Sequence, residues 1–283
     1  MCEQALAPGL QEIEKFVKGF ILAPLCRALN RRVASTIGRM HLGSYIQEGS
    51  ASMDEEGPSF VQKYLTGVYD RMTETLLSKM PGQYASIVAS SVATFSMYAF
   101  VSNASLIRPL NEVTRLKITQ DLADLELALE QLMLKSRQSK HLSEISNGKP
   151  YAELRSMRQM LFWTGLEDKR KPAAAVSKSM LREVWVRDVR PSTVFHYLFS
   201  FAPSLLSSPH HLKRMKVEEY VGTLVTFNGD VDEGEASAWM TTMACCDSFR
   251  QRESAKPSIN DGDVRIASIL MSLGPELLRR RRQ

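Results

Sequence analysis

Cysteine is scarce in this chain of 283 residues, and the cysteines present form no disulfide pattern. They are Cys2, Cys26, Cys245 and Cys246, and adjacent cysteines rarely bridge each other. An oxidising compartment is therefore not indicated, and we expect the chain in the cytosol. The N-terminus also lacks the basic start and apolar stretch of a secretory signal, so the sequence predicts no passage across a membrane.

Motifs for phosphate binding and catalysis are also missing. No two glycines lie two residues apart, which excludes the dinucleotide fingerprint, and Ser44 stands where a phosphate-binding loop would need lysine. No serine lies in a nucleophile elbow, and His41, His141 and His196 have no sequence context that would mark a base. We therefore predict no enzyme, with no catalytic residue and no cofactor.

Residues that could bind a metal occur only at spacings that do not bring their side chains together at one ion. Neighbouring side chains on a helix point about 100° apart, so His210-His211 and Cys245-Cys246 would rarely meet at one ion. The segment 228–232 resembles the opening of a calcium loop but lacks its glycine and closing glutamate. We expect surface histidines, buried thiols and an acidic turn, and no metal site.

Most of the chain has nearly equal numbers of positively and negatively charged residues. The four consecutive arginines Arg279, Arg280, Arg281 and Arg282 account for most of the formal net charge of +5, so no basic face is indicated and we predict no nucleic-acid partner. These arginines are candidates for contact with anionic lipid or an acidic partner. The alternative is a solvated helix end, where arginines complement the helix dipole.

A long uninterrupted apolar run is missing too. The segment 80–107 has no charged residue, but Gln83, Thr94 and Asn103 interrupt it, and a membrane span needs about 20 predominantly apolar residues. We favour a helix buried among other helices, where alanine and serine let neighbouring backbones approach closely.

Apolar residues at helical spacing are abundant and divide the chain into segments. Residues 9–40 have this pattern, and Pro24 should break or kink the helix near Ala23. Glycine, serine and acidic residues then predict a linker. We expect an N-terminal helical segment at 1–41, a linker at 42–58 and a helical domain at 59–283, with a loop near 164–180 and a basic tail at 279–283.

The clearest helix follows Asn111 and carries a continuous leucine-rich seam with spacings of three and four residues. Leu116, Leu127 and Met133 widen the seam beyond a coiled-coil stripe, so a bundle helix is favoured. The residues expected on the solvent side are Lys117, Asp121, Asp124 and Glu130.

The second half of the chain predicts further helices. Asn147-Gly148 indicates a turn before a helix opened by Pro150, Pro191 should open another, and Ser208 with Pro209 should begin one that runs to about Val225. Two more are expected at about 233–252 and 263–281. Aromatic residues alternate up to residue 201, so a strand pair at 184–201 stays an alternative. The expected fold class is all-α, a multi-helix bundle or rod.

Three blocks of sequence resemble the C-terminal region of subunit 5 of the conserved oligomeric Golgi complex. The first comprises NASLIRPLNE at 103–112 and RLKITQDLADLELA at 115–128; the others are YAELRSMRQMLF at 151–162 and TVFHYLFSFAPSLLSSP at 193–209. The resemblance spans about 59–278. The charged insert at 167–178 and the basic tail depart from the family's pattern.

This resemblance implies a non-enzymatic subunit of a vesicle-tethering complex with helical-rod architecture. It implies retrograde transport within the Golgi, other subunits of that complex as partners, subunit 7 above all, and contacts with Golgi trafficking factors. The implied location is the cytosolic face of the Golgi membrane, where the protein is peripherally bound. The alternative from the residues alone is a membrane-surface module that binds anionic lipid through the arginine tail.

Overall fold

All regular secondary structure in the described residues is helical, which confirms the all-α prediction. The structure is a computed structural model, and it describes residues 2–43, 45, 57–108, 110–137, 140–202, 208–255 and 261–281. Most of the predicted linker at 42–58 lies outside these ranges, and the division of the chain into domains stays a prediction.

The helices follow one another with short connections. They are α1 (Cys2–Phe16), α2 (Ala23–Gly38), α3 (Thr66–Thr75), α4 (Gly82–Ser105), α5 (Glu112–Lys135), α6 (Lys149–Leu161), α7 (Ala173–Met180), α8 (Pro191–Phe199), α9 (Pro209–Leu212), α10 (Val217–Leu224), α11 (Asp232–Ala255) and α12 (Asp261–Arg281). Shorter π-helical segments lie at Val17–Leu22 and Val61–Leu65, and 3-10 turns at Arg39–Leu42, Leu77–Lys79, Ile145–Gly148 and Val184–Arg187.

Helix α4 lies at the centre of the fold, as its lack of charge predicts. It packs against α2, α5, α6, α8 and α10, and residues 92–107 are all buried. By length and composition it would also pass as a membrane span, but 78% of its most apolar window is buried inside the protein. Side chains covered by other helices have no surface left for lipid, so the structure favours a core helix.

The sequence predicts that Pro24 breaks or kinks the helix near Ala23, and the predicted break is absent. The chain stays helical from α1 through the π-helical segment Val17–Leu22 into α2, with Pro24 near the start of α2. A π-helical segment shifts the hydrogen-bond pattern, which relieves the missing N–H of a following proline. Asn30 of α2 is fully buried, and its Nδ2 donates to the Phe227 carbonyl at 2.8 Å.

The buried apolar face of α5 is narrower than the sequence predicts. Its leucines are buried together with Met133, but Leu116 and Leu127 are exposed. Asp121, predicted on the solvent side, is buried because its Oδ1 accepts from the Val61 N–H at 2.9 Å and its Oδ2 accepts from the Tyr45 hydroxyl. These partners come from a distant part of the chain, which periodicity does not reveal.

Two predicted segments, one loop and one helix, differ from the structure. Helix α7, with alanines at its start, occupies the second half of the segment 164–180 that we expected to be a loop. The helix expected from Ser208 to Val225 is split into α9 and α10. Arg214 between them has a φ of 54°, a left-handed conformation that a continuous helix does not allow.

The segment 184–201 is helical, which resolves the alternative of a strand pair. Every residue of α8 is buried, so its free N–H groups need partners inside the protein. Two carboxylates supply them: Glu235 of α11 accepts from the Ser192 N–H at 2.7 Å, and Glu153 of α6 accepts from the Arg190 N–H at 3.0 Å. Negative charge is favourable at a helix N-terminus, where the helix dipole is positive.

Glu153 and Arg190 also form the most buried ion pair in the described residues. Arg190 Nε donates to Glu153 Oε2 at 2.7 Å, and the two side chains are 4% and 1% exposed. Arg190 Nη2 donates to the Ser102 hydroxyl at 2.8 Å, and its guanidinium lies over the Tyr98 ring. The pair therefore ties α6 and the start of α8 to the central helix α4.

Replacing Glu153 tests this connection. Glu153→Gln leaves the Arg190 charge buried without its counter-ion, so we expect the free energy of unfolding to fall by about 3–5 kcal/mol. Asp70→Asn is the matched control: its ion pair with Lys135 is 2.8 Å long but nearly half exposed, and we expect a loss of about 1 kcal/mol or less. Urea unfolding followed by circular dichroism measures both, and equal losses would contradict the role of the buried pair.

Candidate functional site

The arginine tail lies at the end of α12, which packs against α7 and α8. Arg279 forms an ion pair with Glu276 at 2.6 Å, and Arg280 Nη1 donates to the Leu181 carbonyl at the end of α7 at 2.8 Å. The side chain of Arg281 and the whole of Arg282 lie outside the described residues. At least two of the four candidate arginines are thus bonded to their own chain, and lipid contact through the tail stays a prediction.

A cleft of about 1240 Å³ opens beside the tail, between α4, α6, α8, α11 and α12. Its charged lining residues balance in sign: Lys149, Arg187, Arg190 and Arg280 against Glu153, Asp188, Asp230 and Glu235. Glu153 and Glu235 both hold the N-terminus of α8. These two carboxylates are engaged in structural bonds, so they are poorly placed for acid–base chemistry.

One rim of this cleft is a turn at the place where the sequence predicts one, and three of its residues have a left-handed backbone conformation. Ser146, Asn147 and Gly148 have φ values of 50°, 58° and 72°. Glycine is required at the last position, because a Cβ there would lie 2.7 Å from the Ser143 carbonyl oxygen. Ser146 Oγ is hydrogen-bonded to Thr94 Oγ1 of α4 at 2.9 Å, so the turn is attached to the core.

One histidine, His196, is part of the packed interior. His196 of α8 is fully buried between Ser105 Oγ, 3.3 Å from Nδ1, and the Tyr220 hydroxyl, 2.8 Å from Nε2. Burial, together with the positive charges of Arg108 and Arg190, lowers its pKa to about 3. The imidazole is therefore neutral at physiological pH and linked to two hydroxyl groups, with no carboxylate to orient it as a base.

The two adjacent pairs considered as metal ligands differ in burial, and the rings of His210 and His211 have their centroids 4.2 Å apart. Cys245 and Cys246 are buried as predicted, and burial raises their pKa values to about 12 and about 11, so both are unreactive thiols. His211 is exposed, but His210 is buried, which corrects the expectation of surface histidines. Within the described ranges, no three side chains of histidine, cysteine, aspartate or glutamate are grouped so that they could hold a metal ion.

Among the residues that the structure describes, the largest group of exposed apolar side chains lies at the other end of the chain, on α1 and the π-helical segment after it. Leu10, Ile13, Phe16, Phe20 and Ile21 are each more than half exposed. Four of these residues are among those whose spacing predicted a helix, but nothing in the sequence distinguishes an apolar face covered by the core from one left open. Exposed aromatic side chains are typical of protein-binding surfaces.

Comparisons with known proteins give two relatives. The chain is 25% identical over 209 residues to conserved oligomeric Golgi complex subunit 5 of Arabidopsis thaliana, and 29% identical over 210 residues to that of Mus musculus. The matches cover 70% and 73% of this chain but 23% of each relative, so the chain spans about a quarter of the length of these relatives. No family model and no solved structure matches. The two matches support the resemblance found in the sequence.

Acid stability tests the buried state of His196. Its folded pKa of about 3 lies below the unfolded value of 6.5, so between these values the unfolded chain binds a proton that the folded chain does not. The free energy of unfolding should therefore fall as the pH falls from 6.5 towards 3, by up to about 1.4 kcal/mol per pH unit for this group. His210, whose pKa burial lowers to about 4, contributes with the same sign.

Urea unfolding at several pH values measures this dependence. We expect His196→Gln to flatten it, because the substitution removes a group that takes up a proton on unfolding. An unaltered pH dependence in His196→Gln would show that the imidazole titrates in the folded protein as it does in the unfolded chain.

Proposed function

We propose that this chain is a structural subunit, or part of one, of the conserved oligomeric Golgi complex and acts by protein–protein contacts in vesicle tethering. The observation that carries the proposal is the match over about 210 residues to subunit 5 from both a plant and a mammal. The chain then takes part in retrograde transport within the Golgi and lies peripherally on the cytosolic face of the Golgi membrane. Subunit 7 is the proposed direct partner, and the other subunits and Golgi trafficking factors are further partners.

The physical character of the chain supports a scaffold rather than an enzyme. Four of its buried titratable side chains, Glu153, Arg190, Glu235 and His196, are engaged in bonds between helices. A scaffold gains its binding specificity from surface shape and from a few anchor residues. Its buried polar groups can therefore act only in stabilising the packing of the helices. Glu153, Arg190 and Glu235 also line the cleft of about 1240 Å³, but each is already bonded to a residue of another helix or its N-terminus.

The direct test is affinity purification of the tagged full chain from its own cells at physiological salt, followed by mass spectrometry. We expect recovery of the other subunits of the complex, with subunit 7 the most abundant. A variant with the same tag and Glu153→Gln, which loosens the fold, should recover less of the complex in proportion to its folded fraction. A folded wild-type chain that recovers none of the subunits would overturn the proposal.

Vesicle flotation separates this function from the lipid-binding alternative. If protein contacts place the chain at the Golgi, purified chain should not float with vesicles containing phosphatidylserine at physiological salt. The matched variant is Arg281→Ala/Arg282→Ala, which leaves the described contacts of Arg279 and Arg280 in place. Flotation that this variant abolishes, combined with failure to recover the complex, would favour a membrane-surface module acting through the tail.

A further inference from the structure

A second cavity, of about 410 Å³, is a groove between α2 and the helical stretch formed by Val61–Leu65 and α3. On the α2 side the lining positions follow one another at intervals of three and four residues, and on the other side they recur in pairs every four residues, so one stripe of each helix forms each wall. The lining residues are Leu29, Arg32, Thr36 and Arg39 on one side, and Lys63, Tyr64, Gly67, Val68, Arg71, Met72, Thr75 and Leu76 on the other. We call this cavity the basic groove.

All charged residues that line the basic groove are positive. They are Arg32, Arg39, Lys63 and Arg71, and all four side chains are exposed. None of the four forms an ion pair with another described residue. Four positive charges around one small groove repel one another, so an anionic group that enters the groove is attracted by all of them.

The charge of the groove is a local excess that the near-neutral total of the chain conceals. Between Glu14 and Glu48 the sequence has no aspartate or glutamate, so the three arginines of α2 have no acidic residue beside them on that helix. Asp70 and Glu74 of α3 do not line the groove, and Asp70 is paired with Lys135 of α5 at 2.8 Å. The counter-charge for the groove must therefore come from an occupant.

The groove also has an apolar lining. Tyr64 is half-buried, and the charged groups of Arg39 and Lys63 lie 5.2 Å and 5.3 Å from its ring centroid. Gly67 leaves a gap in the wall, since a Cβ there would meet no atom within 4 Å. The apolar side chains lie deeper than the exposed cations, being half-buried or buried: Leu29, Val68, Met72 and Leu76. An occupant that fits this lining has negative charge and an apolar side chain.

We propose that the basic groove binds an acidic segment of a partner protein, in which carboxylates flank a large apolar side chain. Arginine binds carboxylates through charge-assisted hydrogen bonds, and clusters of arginine are a recurring means of recognising acidic motifs. A free phosphate would leave the apolar lining uncovered, and a flat bilayer surface would not reach into a recess between two helices. The inference does not rest on the tethering role, because peptide binding is measured on the purified chain alone.

The first test is fluorescence anisotropy with the full chain and a fluorescein-labelled peptide, EELLEELLEE, at chain concentrations of about 1 to 100 µM, where weak complexes dissociate. We expect saturable binding that weakens as salt is added, because exposed charges are screened. Arg32→Glu/Arg71→Glu reverses two of the four charges and should weaken binding at least about 10-fold. Lys178→Glu/Arg182→Glu is the matched control: it changes the net charge equally at exposed positions outside the groove and should leave binding unchanged.

Two further probes separate charge from apolar contact. QQLLQQLLQQ lacks the carboxylates and EESSEESSEE lacks the apolar side chains, so each should bind at least about 10-fold more weakly than EELLEELLEE. Equal binding of all three labelled peptides would contradict the proposal.

Filling the groove tests its location. Gly67→Leu places a side chain in the open space at Gly67, and leucine is a better helix former than glycine, so the fold should be retained while peptide binding is lost. Gly67→Ala adds only a Cβ and should retain most of the binding. Urea unfolding checks that both variants are at least as stable as the wild-type chain. Unchanged peptide binding in Gly67→Leu would place the binding site elsewhere.

Other outcomes would also overturn the proposal. A wild-type chain that does not bind EELLEELLEE at the highest concentration excludes this class of partner. Flotation with vesicles containing phosphatidylinositol phosphate, lost in Arg32→Glu/Arg71→Glu and without peptide binding, would assign the groove to lipid headgroups. Peptide binding that occurs only in Asp54→Asn/Glu55→Gln/Glu56→Gln would assign the groove to the acidic segment 46–56 of the chain itself.

Discussion

Glu153 and Arg190 form an ion pair with almost no contact to water, and the packing of three helices depends on it. The pair connects α6 and the start of α8 to α4, and Glu235 adds α11 at the same helix N-terminus. A fully buried helix such as α8 needs partners for its first N–H groups, and here carboxylates from two other helices provide them. The position of α8 is therefore fixed by directional bonds as well as by apolar contact.

The same constraint accounts for several of the buried polar groups around α8. The bonds of Glu153, Arg190, Glu235 and His196 join one helix to another. Such a network stabilises one arrangement of helices only while all its members are paired. On the outer surface, the largest group of exposed apolar side chains in the described residues is formed by Leu10, Ile13, Phe16, Phe20 and Ile21.

The sequence predicts those features that depend on local pattern. The burial of α4 follows from its lack of charge, and the turn before α6 follows from Asn147-Gly148. The sequence does not predict features made by distant partners: Asp121 reads as a solvent-side residue of α5 until Tyr45 and Val61 are placed beside it. Residues 10–21 show the reverse case, since their exposed apolar side chains have the same spacing as those of a covered helix. The split at Arg214 depends on a backbone angle that residue type alone does not indicate.

Native-state hydrogen exchange tests the central claim, that the Glu153–Arg190 pair makes α4, α6 and α8 one cooperative unit. If the claim holds, the amides of these helices are the slowest to exchange in the wild-type chain, with similar opening free energies. Glu153→Gln then raises all their exchange rates by a common factor. Faster exchange confined to α6, with α4 and α8 unchanged, would contradict it.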